Sequence, residues 1–160
     1  MHSLLLQQHL NVIKQLKSTL PILDLACGSG RNGLFCLEEN LGVTFADIQA
    51  QLFDKIKQTI NNDTERFISS SASFWQVDFE QEKTKPLKEN SYSAVMVFRY
   101  LHRPLIEQIK AAVAPNGIVI YETFTVSQAK IGRPKNPAFL LKNGELAALF
   151  ADWQILHTFE

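Results

Sequence analysis

Alternating helix and strand signals along the 160 residues predict an α/β fold, a doubly wound and mostly parallel sheet covered by helices on both faces. Three observations carry this expectation. Short apolar runs recur between amphipathic stretches of helix length. The run Ile22-Leu23-Asp24-Leu25-Ala26-Cys27-Gly28-Ser29-Gly30-Arg31-Asn32-Gly33 reads as a buried strand feeding a glycine-rich turn that opens a helix. Polar candidates, among them Asp47, Asp78 and Arg99, fall just past the ends of separate strands, where ligands sit in such sheets.

The elements follow in order. Residues 3–18 place Leu5, His9, Val12 and Leu16 on one helical face with Leu6, Leu10 and Ile13 beside them, and Pro21 stops the helix. Within this 1–20 segment the apolar stripe reads as core rather than as a lid over a pocket. A strand at 22–26, a helix at 31–40, a strand at 42–46 and a helix at 49–61 form the first half, followed by a strand at 72–77. Residues 79–91 are polar and allow at most a short helix between parallel strands. A strand at 92–98, a helix at 104–113, a strand at 117–123, a helix at 143–150 and a strand at 152–159 complete the pattern. Residues 124–142 carry Gly132, Pro134 and Pro137 with Lys130, Arg133 and Lys135 and no apolar period; a loop of this length inside a compact domain points to function.

Length and composition fit a single domain over residues 1–160, with 46% hydrophobic and 20% charged residues, both ordinary for a soluble fold. Sixteen basic and sixteen acidic residues cancel, so no overall field draws the chain to nucleic acid or to an anionic membrane, and the expected partner is a small molecule. Cys27 and Cys36 are too few for a disulfide framework and suit a reducing compartment. The Leu4-Leu5-Leu6 run is too short for a membrane span and precedes no cleavage-like segment, so a cytoplasmic protein is expected. The four histidines and two cysteines lack the paired spacings of a structural zinc site, and no metal is expected.

The chemistry concentrates in the first half. Gly28 and Gly30 allow positive φ and close approach of a ligand to backbone. Gly28-x-Gly30-x-x-Gly33 also satisfies the dinucleotide fingerprint, a short and weak pattern by itself. Two acids break the tie. Asp24 lies inside a strand, where a carboxylate is disfavoured unless paired or hydrogen-bonded, and a ligand ammonium would satisfy it; its plain alternative is a cap on nearby turn amides. Asp47 ends the next apolar run, about twenty residues on, as expected of an acid that holds ribose hydroxyls; its alternative is an N-cap of the following helix. Ammonium and ribose without a pyrophosphate describe S-adenosylmethionine. Asp78 would accept the adenine amino group beside the apolar wall of Phe79, or simply end a strand in a turn.

On LDLACGSG (23–30), FAD (45–47) and QVDFE (76–80) the chain resembles class I S-adenosylmethionine-dependent methyltransferases. VFRYLHRPL (97–105), IVIYETFT (118–125) and GRPKNPAFLLKNGEL (132–146) resemble the branch related to the tellurite-resistance methyltransferases. The resemblance spans nearly the whole chain. It implies a Rossmann-like sheet and a cofactor site of Asp24, Cys27, Gly28, Gly30, Asp47, Ile48, Asp78, Phe79 and Phe98, with S-adenosylhomocysteine as product. Arg99, Tyr100 and His102 then stand where the transferred methyl should point. They offer a fixed cation, a phenol and a group titrating near neutrality as acceptor-pocket candidates, with Arg133 adding charge from the long loop. His102 and Arg103 could equally cap the helix beginning at Pro104, and Arg133 and Lys135 could equally belong to a solvated loop.

The expected activity is methyl transfer to a small anionic or soft-nucleophile acceptor, with no side chain assigned a certain catalytic role. Its rivals are a non-catalytic S-adenosylmethionine-binding module and a methyltransferase acting on RNA or protein. Members of the class close their sheet with a seventh strand, for which no residues follow the strand expected at 152–159. The resulting open edge should invite self-association or leave the chain marginally stable.

Overall fold

The computed structural model describes residues 1–67, 71–81 and 86–160. Five strands, β1 Ile22–Leu25, β2 Val43–Asp47, β3 Ala72–Gln76, β4 Tyr92–Phe98 and β5 Val113–Glu122, form an all-parallel sheet in the order β3-β2-β1-β4-β5. Five α-helices accompany them: α1 Leu4–Gln15, α2 Arg31–Glu38, α3 Gln51–Asn62, α4 Ile106–Ala112 and α5 Glu145–Leu149.

Side chains that alternate along each strand divide the core in two. Ile22, Phe45, Met96, Phe98 and Ile120 pack against α1, α2 and α3 on one face. Leu23, Leu25, Ala46, Val95 and Val97 pack against α4 on the other, with Phe79 and Phe150 beside them. Every residue of β1 is buried, as a strand covered on both faces requires. The chain reverses after β1, so β1 and β4 lie side by side while β2 and β3 extend the other way. This is the topological switch where α/β sheets open a crevice.

The expected elements shift by a few residues at most, with two differences of substance. First, of the apolar stripe expected to be core, α1 turns Leu6, Leu10 and Ile13 to the core, whereas Leu5, His9, Val12 and Leu16 are half-buried. They wall a hollow of about 740 Å³ that opens beside β5. Second, no strand forms at 152–159. Residues 150–153 are held on the α4 face, where Lys110 Nζ donates to Asp152 Oδ1 (2.8 Å) and Trp153 meets Phe150 edge-on (ring centroids 5.7 Å). The tail then crosses to the opposite face, where the His157 ring meets His9 of α1 at 4.9 Å. A segment tied to both faces runs across the β5 edge and cannot run along it, so that edge has no strand partner among the described residues. The expectation for 79–91 falls partly outside the described residues, and its described parts carry no helix.

Gly33 fixes how closely α2 approaches the sheet. A Cβ at this position would stand 2.3 Å from Phe45 Cε1 and 2.8 Å from Asp24 Oδ2. Gly33→Ala therefore forces a buried ring or carboxylate to move, and we expect a loss of roughly 1–3 kcal/mol in stability, the usual cost of overpacking. Urea unfolding of the two proteins measures it; an unchanged midpoint would show that α2 has room to shift.

Candidate functional site: a glycine cradle and an adjoining cavity

The turn after β1 is built from backbone that most residues avoid. Ala26, Gly28 and Gly30 all have positive φ, at 53°, 54° and 69°. Cys27 N donates to Ala46 O (3.0 Å) and Gly30 N to Cys27 O (2.9 Å), which anchors the turn to β2 and closes it. A Cβ on Gly28 would meet nothing within 4 Å, so the turn faces open space there, whereas one on Gly30 would stand 2.5 Å from Ile56 Cδ1. Gly30 serves packing, and Gly28 offers bare backbone to a ligand.

Both acids of the cradle are tied to amides. Gly33 N donates to Asp24 Oδ2 at 2.9 Å, and Asp24 is only 2% exposed. Burial pushes its pKa from 3.8 up to about 7; the Gly33 amide lowers it, the charge of Asp47 raises it and Arg31 lowers it. Asp47 Oδ2 accepts from Gly28 N and Oδ1 from Gln49 N, each at 2.9 Å. The amide-capping alternative weighed for Asp24 is therefore present, whereas Asp47 does not cap the following helix: the N-cap of α3 is Ala50, without a side-chain bond, and Asp47 closes a turn ahead of it. These bonds do not exhaust either group, because a carboxylate has about four lone-pair sites. Ile48, next to Asp47, leaves 55% of its surface exposed and is an apolar surface at the cradle. Cys27 is half-buried, its thiol pKa raised by burial and by the charges of Asp24 and Asp47, so it contributes shape rather than a thiolate.

Of the remaining expected cofactor residues, Asp78 follows Val77, whose N donates to Asp47 O (3.1 Å) at the cradle. Asp78 is exposed and its Oδ1 accepts from Glu80 N (2.9 Å), a turn of the kind weighed above. Phe79 is 7% exposed, in the α4-side core and edge-on to Trp75, while Phe98 is 9% exposed against the α1 face. Strand alternation at the end of β4 sends the Phe98 ring into a core layer, and the turn after β3 sends Phe79 into the other.

Beside the cradle, past the end of β4, Glu80, Arg99, Tyr100, Leu101, Phe124, Pro134 and Phe139 line a cavity of about 280 Å³. Arg99 has φ of 57°, an uncommon conformation for a long side chain and one held by its amide bond to Glu122 O (2.8 Å). Its guanidinium lies 5.9 Å from the centre of the Phe124 ring. The Tyr100 hydroxyl is buried, and burial, followed by the charge and hydrogen bonding of nearby Glu80, raises its pKa. His102 and Arg133 are not on this wall; Arg133, Lys130 and Lys135 are exposed on the loop. The expected cationic pocket thus contains one cation and one acid between aromatic surfaces.

Glu80, Phe124, Pro134 and Phe139 were not singled out from the sequence. The loop that supplies the last two, residues 124–142, is held by Arg103: Nε and Nη2 bind Glu145 Oε1 and Oε2 at 2.5 and 2.9 Å, while Nη1 and Nη2 donate to Ala138 O and Leu140 O, both at 2.9 Å. Glu145 is drawn down to about 2 by that pairing. Neither arginine nor glutamate is in a periodic pattern, so only the QVDFE run and the flanking prolines hinted at these contributors.

An all-parallel sheet with β1 at its switch point, a glycine turn after β1 and an acid closing β2 defines the class I S-adenosylmethionine-dependent methyltransferase fold. The family model described as a methyltransferase domain matches residues 22–117, more than half of the chain, and the chain belongs to that family. Among solved structures it is similar to TehB from Haemophilus influenzae, with 20% identity over 98% of this chain and 52% of that one and a TM-score of 0.70. It is also similar to an S-adenosylmethionine-dependent methyltransferase of Methanosarcina mazei (16% identity, 89% of this chain and 82% of that one, TM-score 0.64). The PH0226 protein of Pyrococcus horikoshii OT3 matches at 16% identity over 79% of this chain and 60% of that one, with a TM-score of 0.57. At these identities the likeness is one of fold, and the chain spans 52% and 60% of the Haemophilus and Pyrococcus proteins. No curated protein sequence matches it.

The raised pKa of Asp24 has a stability consequence. Between about pH 4 and about pH 7 the folded chain keeps a proton on Asp24 that the unfolded chain has released, so stability falls as pH rises through this window. Asp24→Asn removes the ionisation and keeps an acceptor for Gly33 N. We expect the urea midpoint to fall less between about pH 5 and about pH 8 in the variant than in the wild type. Equal falls would mean that Asp24 ionises normally in the fold.

Proposed function

We propose that this chain is an S-adenosylmethionine-dependent methyltransferase of small molecules, with the cofactor in the glycine cradle and the acceptor in the adjoining cavity. The observation that carries the reading is the pairing of Gly28, bare and facing open space, with two buried carboxylates on neighbouring strands. These residues fit the cofactor. Asp24, whose charge is disfavoured by burial, is suited to a cationic ammonium group; Asp47 has lone pairs left for two ribose hydroxyls; Ile48 offers apolar surface to a base. When bound, S-adenosylmethionine supplies a methyl group on a sulfonium, already activated toward displacement.

Toward the cofactor the chain's own residues then have to position rather than activate. Gly28 lets backbone approach the ligand, Asp24 and Asp47 orient it, and the walls of the cavity hold the acceptor beside it. Alignment of this kind is worth roughly 7–11 kcal/mol in well-oriented reactions. Asp78 keeps lone pairs beyond the one that its Oδ1 gives to Glu80 N and stays the candidate for the adenine amino group, while Phe79 and Phe98 serve packing. The two free cysteines are consistent with a cytoplasmic setting, and among the described residues no helix is long and apolar enough to cross a membrane. The unpartnered edge of β5 supports the reading that copies of the chain self-associate there.

Three outcomes test this reading. In calorimetry S-adenosylmethionine and S-adenosylhomocysteine should bind and NAD should not, and Asp47→Ala should weaken binding by at least about tenfold, since charge-assisted hydrogen bonds contribute about 1.5–3 kcal/mol each. Unchanged affinity in a folded Asp47→Ala variant would remove the ribose assignment. Affinity should rise with pH through about 7, as Asp24 gives up its proton to meet the ammonium, and fall again above about 8 as the ligand's amino group loses its charge; Asp24→Asn should abolish the rising limb. Light scattering should show concentration-dependent association that Val119→Lys on the β5 edge suppresses, and a monomer at every workable concentration would sink the edge assignment.

A further inference from the structure

The acceptor cavity carries a more specific message than its neighbours in the sequence suggested. Its surface is mostly aromatic and apolar, from Tyr100, Leu101, Phe124, Pro134 and Phe139, yet it holds one carboxylate, Glu80, and one guanidinium, Arg99. No ion pair joins these two, although both face a space of only about 280 Å³. Arg99 is aimed by a positive φ and rests on the ring of Phe124, and the Tyr100 hydroxyl on the same wall is near enough to Glu80 to feel its charge.

We propose that the methyl acceptor is a small zwitterion of the amino-acid type, its carboxylate taken by Arg99 and its amino group by Glu80, with the hydrocarbon part against the aromatic walls. This rests on the methyltransferase reading above. The physical reason is selectivity. A simple anion satisfies Arg99 but brings a like charge toward Glu80, and a simple amine does the reverse at Arg99; only a molecule with both charges satisfies both groups. The Tyr100 hydroxyl adds a donor or an acceptor at the same wall.

The transfer balances without any further reagent. The ammonium first gives a proton to the Glu80 carboxylate, freeing the nitrogen lone pair. That lone pair forms the new bond to the methyl carbon as the carbon–sulfur bond breaks, and the sulfur keeps the bonding pair as a neutral thioether. The amine is then a methylated ammonium, and the proton on Glu80 leaves to water.

Two matched sets test the proposal: L-phenylalanine, phenethylamine and 3-phenylpropionate, and 4-aminobutyrate, butylamine and butyrate. Calorimetry with S-adenosylhomocysteine present gives binding, and mass spectrometry of products made with S-adenosylmethionine gives transfer. In at least one set the zwitterion should bind at least about tenfold more tightly than either singly charged member and should be the member that is methylated. Arg99→Gln should bring the zwitterion down to the amine, and Glu80→Gln should bring it down to the acid, with S-adenosylhomocysteine affinity unchanged in both. If S-adenosylhomocysteine binds but neither zwitterion exceeds its singly charged partners, or if the two substitutions leave the ranking intact, the zwitterion assignment is wrong while the cofactor reading stands. If S-adenosylhomocysteine itself fails to bind, it is the methyltransferase reading that fails.

Discussion

Two carboxylates on adjacent parallel strands cannot stay buried unless something donates to them, and here the donors are backbone amides of α2 and of the turns after β1 and β2. Asp24 is met by Gly33 and Asp47 by Gly28 and Gln49. Those bonds decide the rest of the crevice. They hold α2 against the sheet at a distance only glycine allows, and they keep the Gly28 turn open toward solvent with its backbone uncovered. Burying a carboxylate costs less when amides satisfy it. What remains of the cost appears as the raised pKa of Asp24, a property that a cationic ligand can reverse.

The acceptor side depends on a different kind of constraint. Its wall comes from segments distant in the chain: the turn after β3, the ends of β4 and β5, and the long loop. A loop of that length would ordinarily be mobile. Arg103 gathers it, since one planar guanidinium binds Glu145 through two atoms and two loop carbonyls as well. The loop also closes on itself, with Val126 N donating to Leu141 O and Leu141 N to Phe124 O. Phe139 and Pro134 are thereby brought to the same space as Arg99 and Tyr100, four and three residues before Arg103. The ionic clamp is structural, but its effect is to shape the cavity.

The helix and tail beside β5 show how one packing choice excludes another. Half of the apolar surface of α1 enters the core, and the other half is left to meet the tail through His9 and His157. Because the tail is first fastened to α4 through Lys110 and Asp152, it reaches α1 only by crossing the sheet edge. Apolar side chains such as Leu156 and Phe159 remain exposed as a result, at 59% and 61%.

The sequence alone determined the order of strands and helices, the glycine turn and the acids beside it, because these are local: apolar period, glycine where φ must be positive, and a carboxylate at a strand end are all written within a few neighbouring residues. Asp24, Gly28, Gly30 and Asp47 were legible for that reason, and the amide bond to Asp24 was foreseen as an alternative, whereas Asp47 caps no helix. Only the tertiary structure decided which face of α1 is core, that Phe79 and Phe98 point into the packed layers, and that residues 152–159 cross the edge instead of extending the sheet. It alone brought Glu80 to Arg99 and left His102 and Arg133 off the cavity. Each of these depends on contacts between residues far apart in the chain, where packing and charge pairing outweigh local preference, and no spacing along the sequence records them.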